Sequence, residues 1–409
     1  MEKTTKAFDT QPACPKTGYL VDPTDAETPA GFESVVPVVF ACNENYAPYA
    51  SVTIQSVLEN AGLGRFYRVY VLHAGLAGDT IRLLESIRAP QLTVRCLNVG
   101  PLVESKGVEM FVNRYLSKET YFRFLIPEVL SSFSQVIYLD CDMVVNRDIS
   151  DILPPDMEDK LLGVVRDQLN LYMSNYITEQ LHLNDENYFN AGVLVFNIGR
   201  WNEEKMTEKC FAYIKTARPE QLVYHDQDTL NVVCRDRVLY LDEAWNYYWF
   251  AMVSHDPIYR PFVERMGERF YLLHFNSEMK PWVRPELPLS HYFWKYAKST
   301  VFFERIVETM GKTAAEERKR LKEQNARLQY DLDCVHASVS FRIGRAATWL
   351  PRKVRGGARC LRDNGAGYTV RRTLYHMGLW EDEEAPKGPE NKAKLGKHIE
   401  RVVHPQNGK

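Results

Sequence analysis

Val136-Ile137-Tyr138-Leu139-Asp140-Cys141-Asp142 is an apolar run that ends in two carboxylates spaced i and i+2. Four apolar residues leading straight into acid read as a strand buried on both faces, as in a parallel sheet, and ligands of such sheets gather beyond the carboxyl ends of strands. Extended backbone turns successive side chains to opposite sides, so Asp140 and Asp142 share a face while Cys141 turns away. Two carboxylates converging on one point repel unless a cation lies between them. Hard oxygen donors suit Mg2+ or Mn2+, ions that keep waters and share their coordination with substrate phosphates. The competing reading is an acid that caps a loop after a core strand, which explains a single Asp more readily than a pair.

Upstream of this stretch the pattern alternates strand and helix. Residues 35–41 read as a strand, 45–60 carry apolar positions at helical spacing (Val52, Ile54, Val57, Leu58), and 65–73 alternate like a strand. A helix over 79–87, a strand over 92–97 and a helical stretch over 118–130 continue the series, which predicts an α/β fold with helices packed on the sheet. Downstream, strands are expected at 161–165, 192–198 and 271–275, the last delivering His274, and helices at 203–217 and 227–234. Trp245, Tyr247, Tyr248, Trp249 and Phe250 are dense enough to form a sugar-stacking wall or to fill a core, the core being the commoner use.

The ends read differently. Residues 1–33, with Pro12, Pro15, Pro23 and Pro29, are expected to form a loose arm. Over 301–337, Leu321, Asn325, Leu328, Leu332 and Val335 recur at 4, 3, 4 and 3, the spacing of a short coiled coil or of a single packed helix. Residues 338–380 hold nine Arg and Lys against Asp363 alone, interleaved with Phe341, Ile343, Trp349, Leu350 and Leu361. That mixture suits a surface lying on anionic lipid. Residues 381–409 are charged and contain Pro and Gly, as in disordered tails.

Composition bounds the function. The 409 residues are 45% hydrophobic and 25% charged, which affords one large domain with an appendage. A net charge of -2 argues against a general nucleic-acid binder. Eight cysteines without a C-x-x-C pair predict neither a zinc ribbon nor a disulfide framework, and point to a reducing, cytoplasmic setting. No apolar run reaches the ~18 residues of a membrane span, and no secretory leader is expected.

Four further segments join the acid-tipped strand: Ala41-Cys-Asn-Glu-Asn45-Tyr46-Ala47, Tyr188-Phe-Asn190-Ala191-Gly192-Val193, His225-Asp226-Gln227-Asp228, and His274 through Lys280-Pro281-Trp282. In this combination, from about residue 35 to 282, the chain resembles the retaining glycosyltransferases that include bacterial lipooligosaccharide galactosyltransferases and glycogenin. The resemblance implies a GT-A-type, Rossmann-like mixed sheet flanked by helices over 34–300, with a C-terminal helical extension. It also implies transfer of a hexose from a UDP-sugar to a glycan or glycolipid acceptor, with Mn2+ as cofactor and Mg2+ as the alternative ion. By the same resemblance Asp140, Asp142 and His274 are the metal ligands. Ala41, Asn45 and Tyr46 match the uridine segment, and Arg123, Asp140, Cys141, Asp142, Asn190, Ala191 and Lys280 match donor-contacting positions. Asp167, Asp226 and Gln227 match residues around the reacting sugar. Two positions depart from the family pattern, Asn43 where Asp is common and Ser277 where Gly is common. The 338–345 and 351–355 stretches are similar to basic tails of bacterial sugar transferases at the inner membrane face. Oligomeric state stays open, a homodimer included.

Two rivals share the acidic motif. A haloacid-dehalogenase-type phosphatase expects Thr two residues after the second Asp, where this chain has Val144. A non-catalytic carbohydrate-binding or scaffold protein on the same fold expects loss of a ligand position, and none is lost.

Overall fold

A computed structural model describes residues 21–338, apart from 109–117, 169, 255 and 278, together with 359, 362 and 363. The chain divides into two compact units, Met1–Glu316 and Glu317–Lys409.

The first unit is built on a seven-stranded sheet. In chain order the strands are β1 (Ser34–Ala41), β2 (Arg65–His73), β3 (Leu92–Asn98), β4 (Gln135–Leu139), β5 (Met143–Val145), β6 (Leu162–Arg166), β7 (Phe189–Asn197), β8 (Val238–Tyr240), β9 (Tyr247–Tyr248) and β10 (Leu272–His274). The large sheet has the order β3-β2-β1-β4-β7-β6-β8, and β5-β10-β9 form a small second sheet. The large sheet is parallel except for β7, which runs against both β4 and β6. The expected mixed α/β sheet is therefore present, with β7 beginning three residues earlier than its sequence pattern indicated.

The apolar runs are continuous because both faces of the large sheet are covered. Ile137 and Leu139 of β4 belong to one core cluster, shared with Val36, Val38 and Phe40 of β1 and with the helix Ala47–Glu59. Val136 and Tyr138 belong to the other, with the Lys118–Leu125 3-10 helix and the helix Met206–Thr216. Trp245, Tyr247, Tyr248 and Trp249 are all buried, so the aromatic stretch fills core rather than forming an open wall.

Residues 21–33 correct the expectation of a loose arm. Asp22 caps a 3-10 turn over Pro23–Ala26, and Val21 is buried. The buried Asp25 accepts from Arg68 at 3.3 Å, from the Tyr70 hydroxyl at 3.1 Å and from Arg95. Cations from β2 and β3 thus neutralise a carboxylate that Pro-rich composition had assigned to solvent, since a buried charge persists only when paired. Residues 1–20 lie outside the described residues.

The helix Phe303–Ala337 starts inside the first unit, because Phe302 and Ile306 are buried in its core. Among the described residues no helix is long and apolar enough to cross a membrane. Of the basic segment 338–380 only Ser338, Arg359, Arg362 and Asp363 are described, and 381–409 lies outside the described residues.

Candidate active site

The acid pair lies where the chain leaves the large sheet for the small one. Asp140 still donates its N–H to Gly192 O of β7 at 2.9 Å, and one residue after Asp142 the chain is already β5. The helix Ala47–Glu59 holds this crossover: the Thr53 hydroxyl lies 3.0 Å from Cys141 O and 2.8 Å from Met143 O, and Ser56 Oγ accepts from Val145 N at 2.9 Å. Cys141 is buried and its thiol donates to Ala41 O at 3.3 Å, so only its main chain faces the acid side.

His274 arrives by strand pairing. β10 runs antiparallel to β5 with His274 opposite Met143, and Phe275 N donates to Asp142 O at 2.9 Å. One potential ligand atom each from Asp140, Asp142 and His274 lies within 4.8 Å of the others. Ligands about 2.1 Å from one ion are at most about 4.2 Å apart, so this set closes on a divalent cation with shifts of about half an ångström.

The chemistry of the donor set fits as well. Asn246 Oδ1, 2.9 Å from His274 Nδ1, can only accept, so Nδ1 carries a proton and Nε2 is the ring atom turned toward Asp142 Oδ1, 3.4 Å away. Lys280 supplies positive charge from the other side, donating to Asp142 Oδ2 and to Phe275 O at 2.7 Å. Burial opposes ionisation of Asp142, but Lys280 and then His274 outweigh it and hold this carboxyl well below the usual range.

Asp140 is held from behind. Arg123, 2% exposed, donates to Asp140 Oδ1 at 3.0 Å, to Asp226 Oδ2 at 3.1 Å, to Thr120 O at 2.8 Å and to Ala191 O, with its guanidinium over the Tyr138 ring. The Tyr138 hydroxyl donates to the same Asp140 oxygen at 2.7 Å. Arg123 therefore acts through Asp140 and Asp226 rather than presenting a free fork to a ligand. Burial is the main influence on Asp226 and lifts it to about 6, with Arg123 opposing.

A chain of amides links the remaining site residues. Asn246 Nδ2 donates to Asn190 Oδ1 at 2.8 Å, and Asn190 Nδ2 donates to Gln227 Oε1 at 2.9 Å, an oxygen that also accepts from Ala191 N at 3.1 Å. Gln227 Nε2 donates to Asp167 Oδ2 at 3.0 Å and to the Tyr188 hydroxyl at 3.2 Å. All four hydrogen-bonding directions of the Gln227 amide are thereby used, which fixes its orientation. Tyr188 in turn donates to the buried Asp228 at 2.6 Å, which also accepts from the Tyr176 hydroxyl and from Tyr224 N.

Asp228 makes a pH prediction. Burial, its largest influence, lifts it to about 7, above the ~3.9 of an unfolded chain. The stability it contributes is full below pH ~4 and is lost as pH rises through 7. Relative to Asp228→Asn, the wild-type melting temperature is expected to fall by ~5 °C between pH 5 and pH 8. Melting curves of both proteins across that range check this, and a pH-independent gap contradicts it.

At the other end of the crossover lies the loop after β1. Asn43 Oδ1 accepts from Asn45 N at 3.1 Å and Tyr46 N at 3.2 Å, and Asn43 Nδ2 donates to the buried Glu119 at 3.3 Å. A carboxylate at position 43 would meet Glu119 with like charge, which accounts for the amide here. Asn45 and Tyr46 are exposed, and Ala41 closes β1 beside them. Arg305 braces this loop through Glu44, donating to Oε1 at 3.0 Å and to the main-chain O at 3.1 Å. Ser277, where the family pattern has Gly, has φ 87°, a left-handed conformation that costs a side chain of order 1 kcal/mol.

The structure thus brings Asp140, Asp142, His274, Lys280, Arg123, Asp226, Asn190, Ala191, Gln227 and Asp167 into one connected site. The sequence reading did not single out Asn246, Tyr138 or Glu119, or give Gly192 a role. Tyr138 carried a signal, standing two before Asp140 on the same strand face, whereas Asn246 lay hidden in an aromatic stretch noted only for its rings.

The chain is similar to several known proteins. Over 259 residues the chain is 26% identical to general stress protein A of Bacillus subtilis, covering 61% of this chain and 88% of that one. Over 292 residues it is 26% identical to a lipopolysaccharide 1,2-glucosyltransferase of Escherichia coli K12, covering 70% and 84%. Among solved structures it is similar to the galactosyltransferase LgtC in complex with donor and acceptor sugar analogs, with TM-score 0.51, 25% identity, and coverage of 65% of this chain and 96% of that one. Residues 37–285, more than half of the chain, match the model of glycosyl transferase family 8, and the chain belongs to that family.

Proposed function

We propose that this glycosyltransferase moves a hexose, galactose or glucose, from a UDP-sugar to a glycan or lipopolysaccharide-type acceptor with retention of configuration, using Mn2+ or, in its place, Mg2+. The observation that carries the reading is the convergence of two carboxylates and an imidazole nitrogen with Lys280 beside them. The lipopolysaccharide 1,2-glucosyltransferase and the LgtC complex support the substrate classes. Family membership removes the phosphatase alternative and stands against a non-catalytic module.

Held by Asp140, Asp142 and His274, the ion would supply Lewis-acid stabilisation of the diphosphate oxygens. The chain's own residues do the rest. Lys280 Nζ has three protons, two of them engaged on Asp142 and Phe275 O, and the third is available to a leaving phosphate oxygen. As a compact cation it neutralises charge that grows as the sugar departs. Arg123 and Tyr138 keep Asp140 aimed at the site. An amide is a poor nucleophile, and both acceptor directions of Gln227 Oε1 are already used, so the geometry favours front-face attack by the acceptor with Gln227 positioning the sugar.

Gln227→Ala is expected to lower kcat by about 100-fold while leaving donor KM within about threefold. Steady-state kinetics check the split, and a rise in KM at unchanged kcat contradicts positioning. The overall reading is tested by UDP release from a panel of UDP-sugars, with and without Mn2+. Release from a UDP-hexose that stops on chelation supports it, and no release from any donor overturns it.

We also propose that the protein is cytoplasmic and works at the inner membrane face through its basic C-terminal segment. Deletion after Gly311 spares Arg305 and the site residues. It is expected to lower binding to vesicles containing anionic lipid at least tenfold while donor hydrolysis is unchanged. Co-sedimentation with vesicles reads the effect, and equal binding by both proteins contradicts anchoring.

A further inference from the structure

The second unit presents an apolar row to solvent. On the helix Phe303–Ala337, Leu321, Leu328, Leu332 and Val335 are 52%, 58%, 48% and 53% exposed, at positions seven, four and three residues apart. Isolated surface apolar residues are ordinary, but four on one seam of one helix are a coiled-coil pattern. Written as heptads, d is Leu321, Leu328 and Val335, and a is Asn325 and Leu332. Upstream, the a positions are Arg318 and Gly311, so the seam opens at Leu321.

We propose that residues 321–335 pair with the same segment of a second copy of this chain as a parallel, in-register, two-stranded coiled coil. Charge pattern chooses both the partner and the direction. In a parallel pair each g position faces the e position five residues later on the other helix. The sequence supplies Glu317 to Lys322, Gln324 to Gln329 and Asp331 to His336, two complementary pairs and one amide pair, and twofold symmetry repeats each of them. In an antiparallel pair g faces g and e faces e; with Asn325 opposite Leu328, Gln324 meets Asp331 and Lys322 meets Gln329, which sets no opposite charges together. Asn325 adds a second discriminator. A single Asn at a pairs with its own copy only when the helices are parallel and in register, and it selects two strands at a cost in stability; Leu at d also suits two strands.

Sedimentation of the full chain over a dilution series at tens of micromolar tests the association. The expected result is twice the monomer mass, dissociating on dilution. Leu328→Asp should weaken the dimer at least tenfold and Asn325→Val should tighten it, both leaving sugar-nucleotide turnover unchanged, because neither residue belongs to the catalytic unit. Direction is read by mild oxidation of Leu321→Cys in a chain with Cys14, Cys334 and Cys360 replaced by Ser. Parallel register joins the two Cys at d, whereas antiparallel packing with Asn325 opposite Leu328 leaves them about 16 Å apart along the axis. A monomer throughout, a dimer unaffected by Leu328→Asp, or a dimer without the crosslink overturns the proposal.

Discussion

Asp142→Ala is expected to lower kcat/KM for the preferred UDP-hexose by about 1000-fold, as loss of an electrostatic contribution of several kcal/mol implies. Both oxygens of Asp142 are in use, Oδ1 facing His274 Nε2 at 3.4 Å and Oδ2 receiving Lys280. Removing the side chain deletes one cation ligand and frees the ammonium that the site aims at leaving phosphate. The fold should survive, because Lys280 keeps Phe275 O at 2.7 Å and reaches some solvent. Asp142→Asn, which keeps the shape and discards the charge, should lose activity to a similar degree. UDP-release kinetics with saturating Mn2+, alongside melting curves, check this. Activity within a few fold of wild type in both variants would remove Asp142 from the chemistry.

The second large effect is expected from a single methyl group. A Cβ on Gly192 would lie 2.7 Å from His274 Cε1, 2.8 Å from Asn190 Oδ1 and 2.8 Å from Asp140 Oδ2. None of these neighbours can retreat freely. The imidazole is hydrogen-bonded to Asn246, the Asp140 carboxylate to Arg123 and Tyr138, and Asn190 lies within the amide chain. Gly192 is thus required by space at the point where β7 passes beneath two of the three cation ligands. Gly192→Ala is expected to cost about 100-fold in kcat/KM, the scale of an ångström-sized misplacement, and about 1–3 kcal/mol in stability from overpacking. Gly199→Ala serves as control, since its Cβ would approach nothing nearer than Asn197 Oδ1 at 3.8 Å. Equal activity in both variants would contradict the packing argument.

The acid-tipped strand was legible because its information is local: an apolar run states burial on both faces, and a period of two states that Asp140 and Asp142 share a side. The direction of β7 was not, because an apolar strand reads alike whichever way it pairs, and the antiparallel register with β4 is set by a distant part of the chain. His274 could be placed only by resemblance. What carries it to the acids is the pairing of three-residue strands, β5 with β10, too short to announce a partner in sequence. Asn246 was invisible for a related reason, its role depending on a buried amide chain through Asn190 to Gln227 whose members come from separate segments. Pro-rich composition misled at residues 21–33, where the pairing of Asp25 with Arg68 and Arg95 is a long-range effect that no local pattern reports.

Two acids and an imidazole must grip one cation for the proposed function to hold. Crystals grown with Mn2+ and UDP, measured at the manganese absorption edge, test it most directly. One strong anomalous peak is expected about 2.0–2.3 Å from an oxygen of Asp140, an oxygen of Asp142 and Nε2 of His274. A peak bound elsewhere, or UDP seated in the site with no peak among these three side chains, would contradict it.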